Sequence, residues 1–277
     1  MTPNHSSRDN RFVLRDDALE GTVALVTGGG TGIGRATALD LARSGSDVVV
    51  AGRRREPLEK TVADIELLGR RALAVPTDIR DDEQVSALVE HTLAKFGRID
   101  ILVNNAGGQF AAPAEEITSK GWRAVHRLAV DATWSVTREV AVTAMIPQRS
   151  GVVFFIAFSP RRGIPTFVHA TSARAALENM ASGLALEWSR YGIRTLCVAP
   201  GTIATDGMDA NYTQEAKDRW SSAIPLGRPG AADEVSAVIA FLASPGARYV
   251  TGTTVVVDGG ADAWGAGHPV PGLETHL

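Results

Sequence analysis

The stretch VALVTGGGTGIGRATALDLARSG, Val23 to Gly45, decides the fold. A short, almost wholly apolar run enters a set of glycines, and the glycines enter a segment with helical spacing of Ala and Leu. An apolar run of about five residues, flat in polarity, reads as a strand covered on both faces. Gly28 then permits a tight turn, Gly32 lets the backbone approach a pyrophosphate, and Gly34 lets the helix pack on the strand; Thr31 and Ile33 lie between them. The first turn of that helix presents free N–H groups and the positive end of its dipole to an anion. Glycines alone describe any flexible turn. Between a first strand and a first helix they read as a dinucleotide-phosphate site.

The same rhythm continues outward. DVVVAGR is a second buried strand, followed by a helix over Glu56–Leu68, the strand RALAVPTD, a helix over Asp81–Phe96 and the strand IDILVNNAGG. A long helix over Ser119–Ile146, the strand GVVFFIAF, a helix over His169–Trp188 and the strand IRTLCVAPG come next. After a looser polar segment (Thr205–Ser222), a helix over Ala232–Leu242 leads to a last strand, TTVVVDGG. Seven strands alternating with helices predict an α/β protein: a single-domain Rossmann fold with a seven-stranded parallel, doubly wound sheet. The expected division is an arm over residues 1–18, one domain over 19–262 and a Gly/Pro-rich tail over 263–277.

Composition narrows the class. The 277 residues are 44% hydrophobic and 21% charged, with a net charge of −3, which argues against a nucleic-acid or anionic-membrane partner. One cysteine, Cys197, excludes a disulfide framework, and its apolar setting reads as a buried inert thiol. The six histidines and the cysteine show no metal-ligand spacing. The polar opening MTPNHSSRDN lacks the apolar core of a signal peptide, and no apolar run is long enough for a bilayer, so a cytoplasmic location is expected. The one basic run, GRRRE at Gly52–Glu56, ends the second strand where an acid would bind a ribose 2′-hydroxyl. Arg53 and Arg54 suit a 2′-phosphate instead, so the run reads either as an NADP(H) site or as a solvated basic turn; NADP(H) is the preferred reading.

These residues resemble the short-chain dehydrogenase/reductase family. The likeness is carried by Gly28, Gly32 and Gly34, by Asp78 after the third strand, by NNAG (Asn104–Gly107) and by APGTIAT (Ala199–Thr205), and spans about Leu19 to Gly260. It implies that Asp78 and Ile79 flank the adenine and that Asn105, Ala106 and Gly107 line the cofactor. It also implies that Pro200, Gly201, Ile203 and Thr205 hold the nicotinamide carboxamide. Most of the family works through Asn, Ser, Tyr and Lys, with Tyr as proton donor and Lys depressing its pKa. Here Tyr191, Tyr212 and Tyr249 are followed four residues on by Thr195, Ala216 and Thr253, so no Tyr-x-x-x-Lys exists. Anchoring on ALEW, YGIR and APG puts Ala129, Ala157, Ala170 and Arg174 at the four positions.

A subgroup acting on acyl-CoA double bonds also lacks the Tyr. That subgroup includes 2,4-dienoyl-CoA and trans-2-enoyl-CoA reductases, and GIPTFVHATSARAAL, GGQFAAPAEEITSKGW and IPLGRPGAADEV look like the latter. The resemblance implies NADPH-dependent reduction of an enoyl-CoA. Hydride delivered to Cβ of a conjugated C=C builds charge on the thioester oxygen, so the reaction chiefly needs an oxyanion stabiliser, and water can supply the proton to Cα. Arg174 does not deprotonate and is assigned to the nicotinamide ribose and the positive field, against a structural helix-face role. Gln109 either donates to the thioester carbonyl or faces solvent in its loop. His169 either donates a hydrogen bond or proton, or is a packed histidine at the helix entry. Ser172 reads as a first-turn cap with a ligand contact. Ser159 is a weaker candidate, and Arg161 and Arg162 suit CoA phosphates or, better, a solvated loop.

The segment Asp206–Trp220, with Met208, Tyr212 and Trp220 among charges, is placed where a substrate lid is expected, though a surface helix reads the same. The resemblance further implies a homo-oligomer: a dimer across the helices Ser119–Ile146 and His169–Trp188, and a tetramer completed by the last strand. Two rival readings stand beside the reductase. One is an NADP-binding protein with lost catalysis, and the other a reductase of another carbonyl or alcohol with substitute groups.

Overall fold

The sheet order is β3-β2-β1-β4-β5-β6-β9, with every pairing parallel. The strands are β1 Val23–Thr27, β2 Asp47–Gly52, β3 Ala72–Pro76, β4 Ile101–Asn104, β5 Gly151–Ile156, β6 Ile193–Pro200 and β9 Thr254–Val257. This computed structural model describes residues 14–159, 161, 163–205, 213–215 and 221–263. The expected arm before residue 14, the tail from 264, Arg162, and the lid segment apart from 213–215 lie outside the described residues.

Alternation along each apolar strand sends neighbouring side chains to opposite faces. Ala24, Val26, Val48, Val50, Phe154 and Val198 pack with α1 (Gly32–Arg43), α2 (Arg55–Leu67) and α8 (Ala232–Ala243). Leu25, Val49, Leu102, Val153, Phe155 and Cys197 pack with α3 (Asp82–Phe96), α5 (Ala132–Val140) and α7 (Val168–Trp188). Both faces are therefore dry, which is why the strands carry no polar alternation.

Topology fixes where a ligand sits. From β1 the chain builds outward through β2 to β3, then returns to lay β4 on the other side of β1. The crevice at the carboxyl ends of β1 and β4 is the switch point of the sheet, the general ligand site of such folds.

Two features differ from the sequence expectation. The long helix is α4 (Ser119–His126), a π segment Arg127–Asp131, α5, a second π segment Ala141–Met145 and α6 (Ile146–Gln148). Its outer spacing is helical throughout, so the one-residue bulges are silent in the sequence. Second, β7 (Ile203–Ala204) and β8 (Gly230–Ala231) form a separate two-stranded ladder beyond the end of β6. No helix among the described residues is long and apolar enough to cross a membrane.

Candidate nucleotide cleft and catalytic position

Three loops meet at the switch point. The turn after β1 carries Gly28 to Gly34, and α1 starts at Gly32 behind the uncapped Thr31. A Cβ on Gly34 would overlap the Gly28 carbonyl and the Asn105 amide, so only glycine lets helix and strand approach this closely. The Asn105 side chain donates to the carbonyls of Thr27 (3.0 Å) and Gly28 (3.3 Å). The Thr27 hydroxyl in turn accepts from the N–H groups of Asn105 and Ala106, both at 3.0 Å. Asn105 thus fixes the shape of the glycine turn and leaves the uncapped first-turn N–H groups of α1 facing the crevice. The loop after β7 closes the third side: the Thr205 methyl lies 3.5 Å from where a Gly32 Cβ would stand. Pro200, at the end of β6, accepts from the Ser159 N–H, and the Gly201 N–H donates to Val257.

At the outer edge, Arg53 and Arg54 leave β2 exposed and without a polar partner among the described residues, Arg54 preceding the first turn of α2. Two residues beyond neighbouring β3, Asp78 is gripped by Arg80, whose Nε lies 2.9 Å from Oδ1. That guanidinium holds the Asp78 carboxyl down to about 2, with burial opposing and Arg53 assisting. Ile79 is buried with the α3 core.

The inner end holds the four positions where the resemblance puts a catalytic set. Ala129, Ala157 and Ala170 are buried, at 2%, 1% and 2% exposure. Ala129 sits in the π segment Arg127–Asp131 and packs with Ala170, Val125, Phe167 and Ala173. Arg174 is 7% exposed; its Nη1 donates to the Ile156 carbonyl at 2.6 Å, and its guanidinium carbon lies 5.2 Å from the Phe158 ring centre. A Cβ on Gly107 would overlap Nη2 of Arg174, so the glycine after β4 makes room for this guanidinium. Burial lowers the Arg174 pKa to about 10, still well above neutrality, so the group stays cationic. It has no carboxylate partner among the described residues. A buried cation with a single carbonyl bond is incomplete and calls for a ligand with electron-rich oxygens.

The remaining candidates lie apart from that centre. α7 begins at Val168 behind an uncapped Phe167, one residue earlier than the sequence suggests. Ser172 is therefore too deep to cap; its hydroxyl donates to the His169 carbonyl (3.1 Å) and lies 3.2 Å from His126 Nε2, joining α4 to α7. His126 stacks on Trp122, with ring centres 4.6 Å apart. His169 is fully buried beneath Phe110, ring centres 4.4 Å apart, and among the described residues neither ring nitrogen completes a well-formed hydrogen bond, the Phe110 backbone being the nearest polar group to act on it. Burial lowers its pKa and the charge of His126 adds to this, while the Phe110 backbone opposes. Gln109 is exposed in the loop beside Phe110. That loop is pinned to the entry of α7 by the Ala112 N–H on the Thr166 carbonyl at 3.0 Å.

Arg161 is committed elsewhere, to Glu178 (3.2 Å) and Asp262 (3.3 Å). Ser159 donates to Asp258, so both belong to a strap between the loop after β5 and the turn after β9. Cys197 is buried in β6, and burial pushes its thiol up to about 12, consistent with an inert residue.

Comparison with known proteins agrees with this geometry. Residues 28–262 match the family model described as Enoyl-(Acyl carrier protein) reductase. The chain belongs to the short-chain dehydrogenase/reductase family. It is 35% identical over 246 residues to a probable 2,4-dienoyl-CoA reductase of Bacillus subtilis, covering 87% of this chain and 97% of that one. It is 37% identical to a peroxisomal 2,4-dienoyl-CoA reductase of Danio rerio, over 90% of this chain and 84% of that one. A solved Pseudomonas aeruginosa citronellol catabolism dehydrogenase superposes with a TM-score of 0.81 at 38% identity, covering 91% and 99% of the two chains.

Within this family frame, sequence reading alone passed over three residues: Arg80, Phe110 and Phe158. Arg80 follows Asp78 by two, a spacing that permits a forked pair at the strand end. Phe110 and Phe158 carry no sequence signal, because only packing puts them against His169 and Arg174.

Proposed function

We propose that the protein is an NADPH-dependent reductase of the conjugated C=C bond of an enoyl- or dienoyl-CoA thioester. The observation that carries this reading is the chemistry of the inner cleft: three buried alanines and one unpaired buried guanidinium. Among the described residues such a site holds no phenol, carboxyl or amine placed to protonate a ketone oxygen. It does hold a fixed cation in a low-dielectric setting, which favours a substrate whose negative charge develops on a carbonyl oxygen. The names of the Bacillus and Danio relatives support the thioester class.

The residues present fit a nicotinamide dinucleotide. The uncapped start of α1 and the glycine turn held by Asn105 would cradle the pyrophosphate. Arg53, Arg54 and the start of α2 would take the 2′-phosphate, Asp78 would border the adenine, and the backbone of Pro200 to Ile203 with Thr205 would hold the carboxamide. When bound, the reduced nicotinamide supplies the hydride. Arg174 would hold the ribose and stabilise the developing oxyanion, while Gln109 from the loop rim orients the thioester carbonyl. His169, buried with two unpaired nitrogens, would gain its partner when the loop carrying Phe110 shifts around the acyl group; Ser172 supports it through the α7 backbone. The proton at Cα comes from water.

We assign the protein to the cytoplasm and to a homo-oligomer. Trp134 and Val142 on the long helical run and Leu186 on α7 are exposed apolar residues suited to a second copy.

The deciding assay follows NADPH absorbance with 2-enoyl-CoA and 2,4-dienoyl-CoA thioesters of graded chain length. Turnover is expected, and Arg174→Ala should lower kcat about 100-fold or more, the usual loss for an oxyanion donor. Tight NADPH binding without turnover of any thioester favours the second reading, a cofactor-binding protein without catalysis, which the alanines at 129, 157 and 170 also suit. Faster turnover of ketones or alcohols than of thioesters overturns the C=C assignment.

A further inference from the structure

The carboxylate that follows β3, beside the end of β2, is already spoken for. β2 and β3 run parallel with Gly52 beside Pro76, and the Thr77 N–H continues the ladder to the Gly52 carbonyl at 2.9 Å. Arg53 and Arg54 therefore leave the sheet next to Thr77 and Asp78. In that position Asp78 is the natural ion partner for Arg53, and such a pairing would both consume a phosphate-binding guanidinium and place negative charge against the phosphate. The structure shows a different pairing. Arg80 folds back on Asp78 with Nε at 2.9 Å and 3.2 Å from the two carboxylate oxygens and Nη2 closing the fork; its own N–H also donates to Oδ1 at 3.1 Å. Gln84 Oε1 accepts from the Asp78 N–H at 2.8 Å and fixes the backbone beneath. Arg53 is left with no polar partner among the described residues.

We propose that Arg80 is a positioning residue for cofactor choice. By neutralising Asp78 it keeps Arg53 free and the strand ends positive, and so sets the preference for a dinucleotide with a 2′-phosphate over one with a 2′-hydroxyl. This rests on the NADP(H) reading above. The physical basis is local: a carboxylate beside the end of β2 lowers the positive potential there and opposes a dianionic phosphate, whereas a forked guanidinium–carboxylate pair is close to neutral. Both partners are part-exposed, at 39% and 29% for the Arg80 and Asp78 side chains, so the effect is moderate and screened by salt.

Isothermal titration of the full chain with NADPH and with NADH tests this without any turnover. Arg80→Gln should raise the NADPH Kd about fivefold at low salt and leave the NADH Kd within about twofold. Asp78→Asn on top of Arg80→Gln should return the ratio of NADH to NADPH Kd to within about twofold of the parent, since any change at the adenine is shared by both dinucleotides, and Arg80→Lys should keep most of the preference. An equal loss for both dinucleotides in Arg80→Gln, or no recovery in the double variant, overturns the proposal, because a merely structural pair would behave so. A parent chain that binds NADH at least as tightly as NADPH overturns the cofactor reading itself, and the proposal with it. Arg53→Ala separates the two: it weakens NADPH alone if the cofactor reading holds, whatever Arg80 does.

Discussion

His169 shows how one residue carries a cost that its fold does not offset. A fully buried imidazole with two unpaired nitrogens loses the hydrogen bonds it makes to water when unfolded. Burial lowers its pKa, with His126 adding and the Phe110 backbone opposing. The sign follows directly: the unfolded chain binds the proton more readily, so stability is highest well above the ordinary histidine range and falls as pH drops through about 6.5. His169→Leu removes both effects. Thermal melts across pH should show a flatter acid side for this variant and, at neutral pH, a stability equal to or up to about 1 kcal/mol above the parent. A variant with an unchanged acid slope would mean that His169 is protonated or hydrogen-bonded in the folded state.

At the level of elements, the entry to α7 is strained. Thr166 has φ +68, a left-handed conformation that a β-branched side chain rarely adopts. Its carbonyl holds Ala112 N–H, which ties the loop bearing Gln109 and Phe110 to the helix bearing Ala170 and Arg174. Glycine at 166 keeps that carbonyl and removes the Cβ clash, so Thr166→Gly should gain about 1 kcal/mol in urea unfolding. A loss of similar size would show that the hydroxyl, which bonds the Pro165 carbonyl, outweighs the strain. The π segment around Ala129 is the other element of interest. It packs Ala129, at 2% exposure, onto Ala170 and Ala173 of α7.

For the molecule as a whole, the helices α1 and α8 are joined at Asp40. This buried α1 carboxylate accepts from the Ser236 hydroxyl of α8, far along the sequence, and from Arg43 at 2.7 Å. Ser236→Ala would leave a buried carboxylate oxygen without that donor, at a cost of about 1–3 kcal/mol in global unfolding. Because the two helices pack face to face on the sheet, the loss should appear in a single cooperative transition; a partial, early transition would show that α8 unfolds alone.

Much was legible from residues alone. The seven strands, their parallel order and the glycine turn follow from five-residue apolar runs alternating with helical spacing, since only a sheet buried on both faces uses such strands. Gly28 to Gly34, Arg53 and Asn105 could be placed at strand ends because backbone periodicity fixes which end each loop occupies, and the family resemblance places Arg174 on its helix. The partners of those side chains could not. That Ser172 binds His126 instead of capping, that Arg161 is held by Glu178 and Asp262, and that Phe110 covers His169 are contacts between segments distant in sequence. The sequence by itself determined the sheet, the crevice and the absence of any Tyr-x-x-x-Lys pair, because period and residue identity are local. Only the tertiary structure decided that Arg174 is buried without a counter-charge and that Arg80 neutralises Asp78, because burial and pairing depend on which surfaces the folded chain brings together.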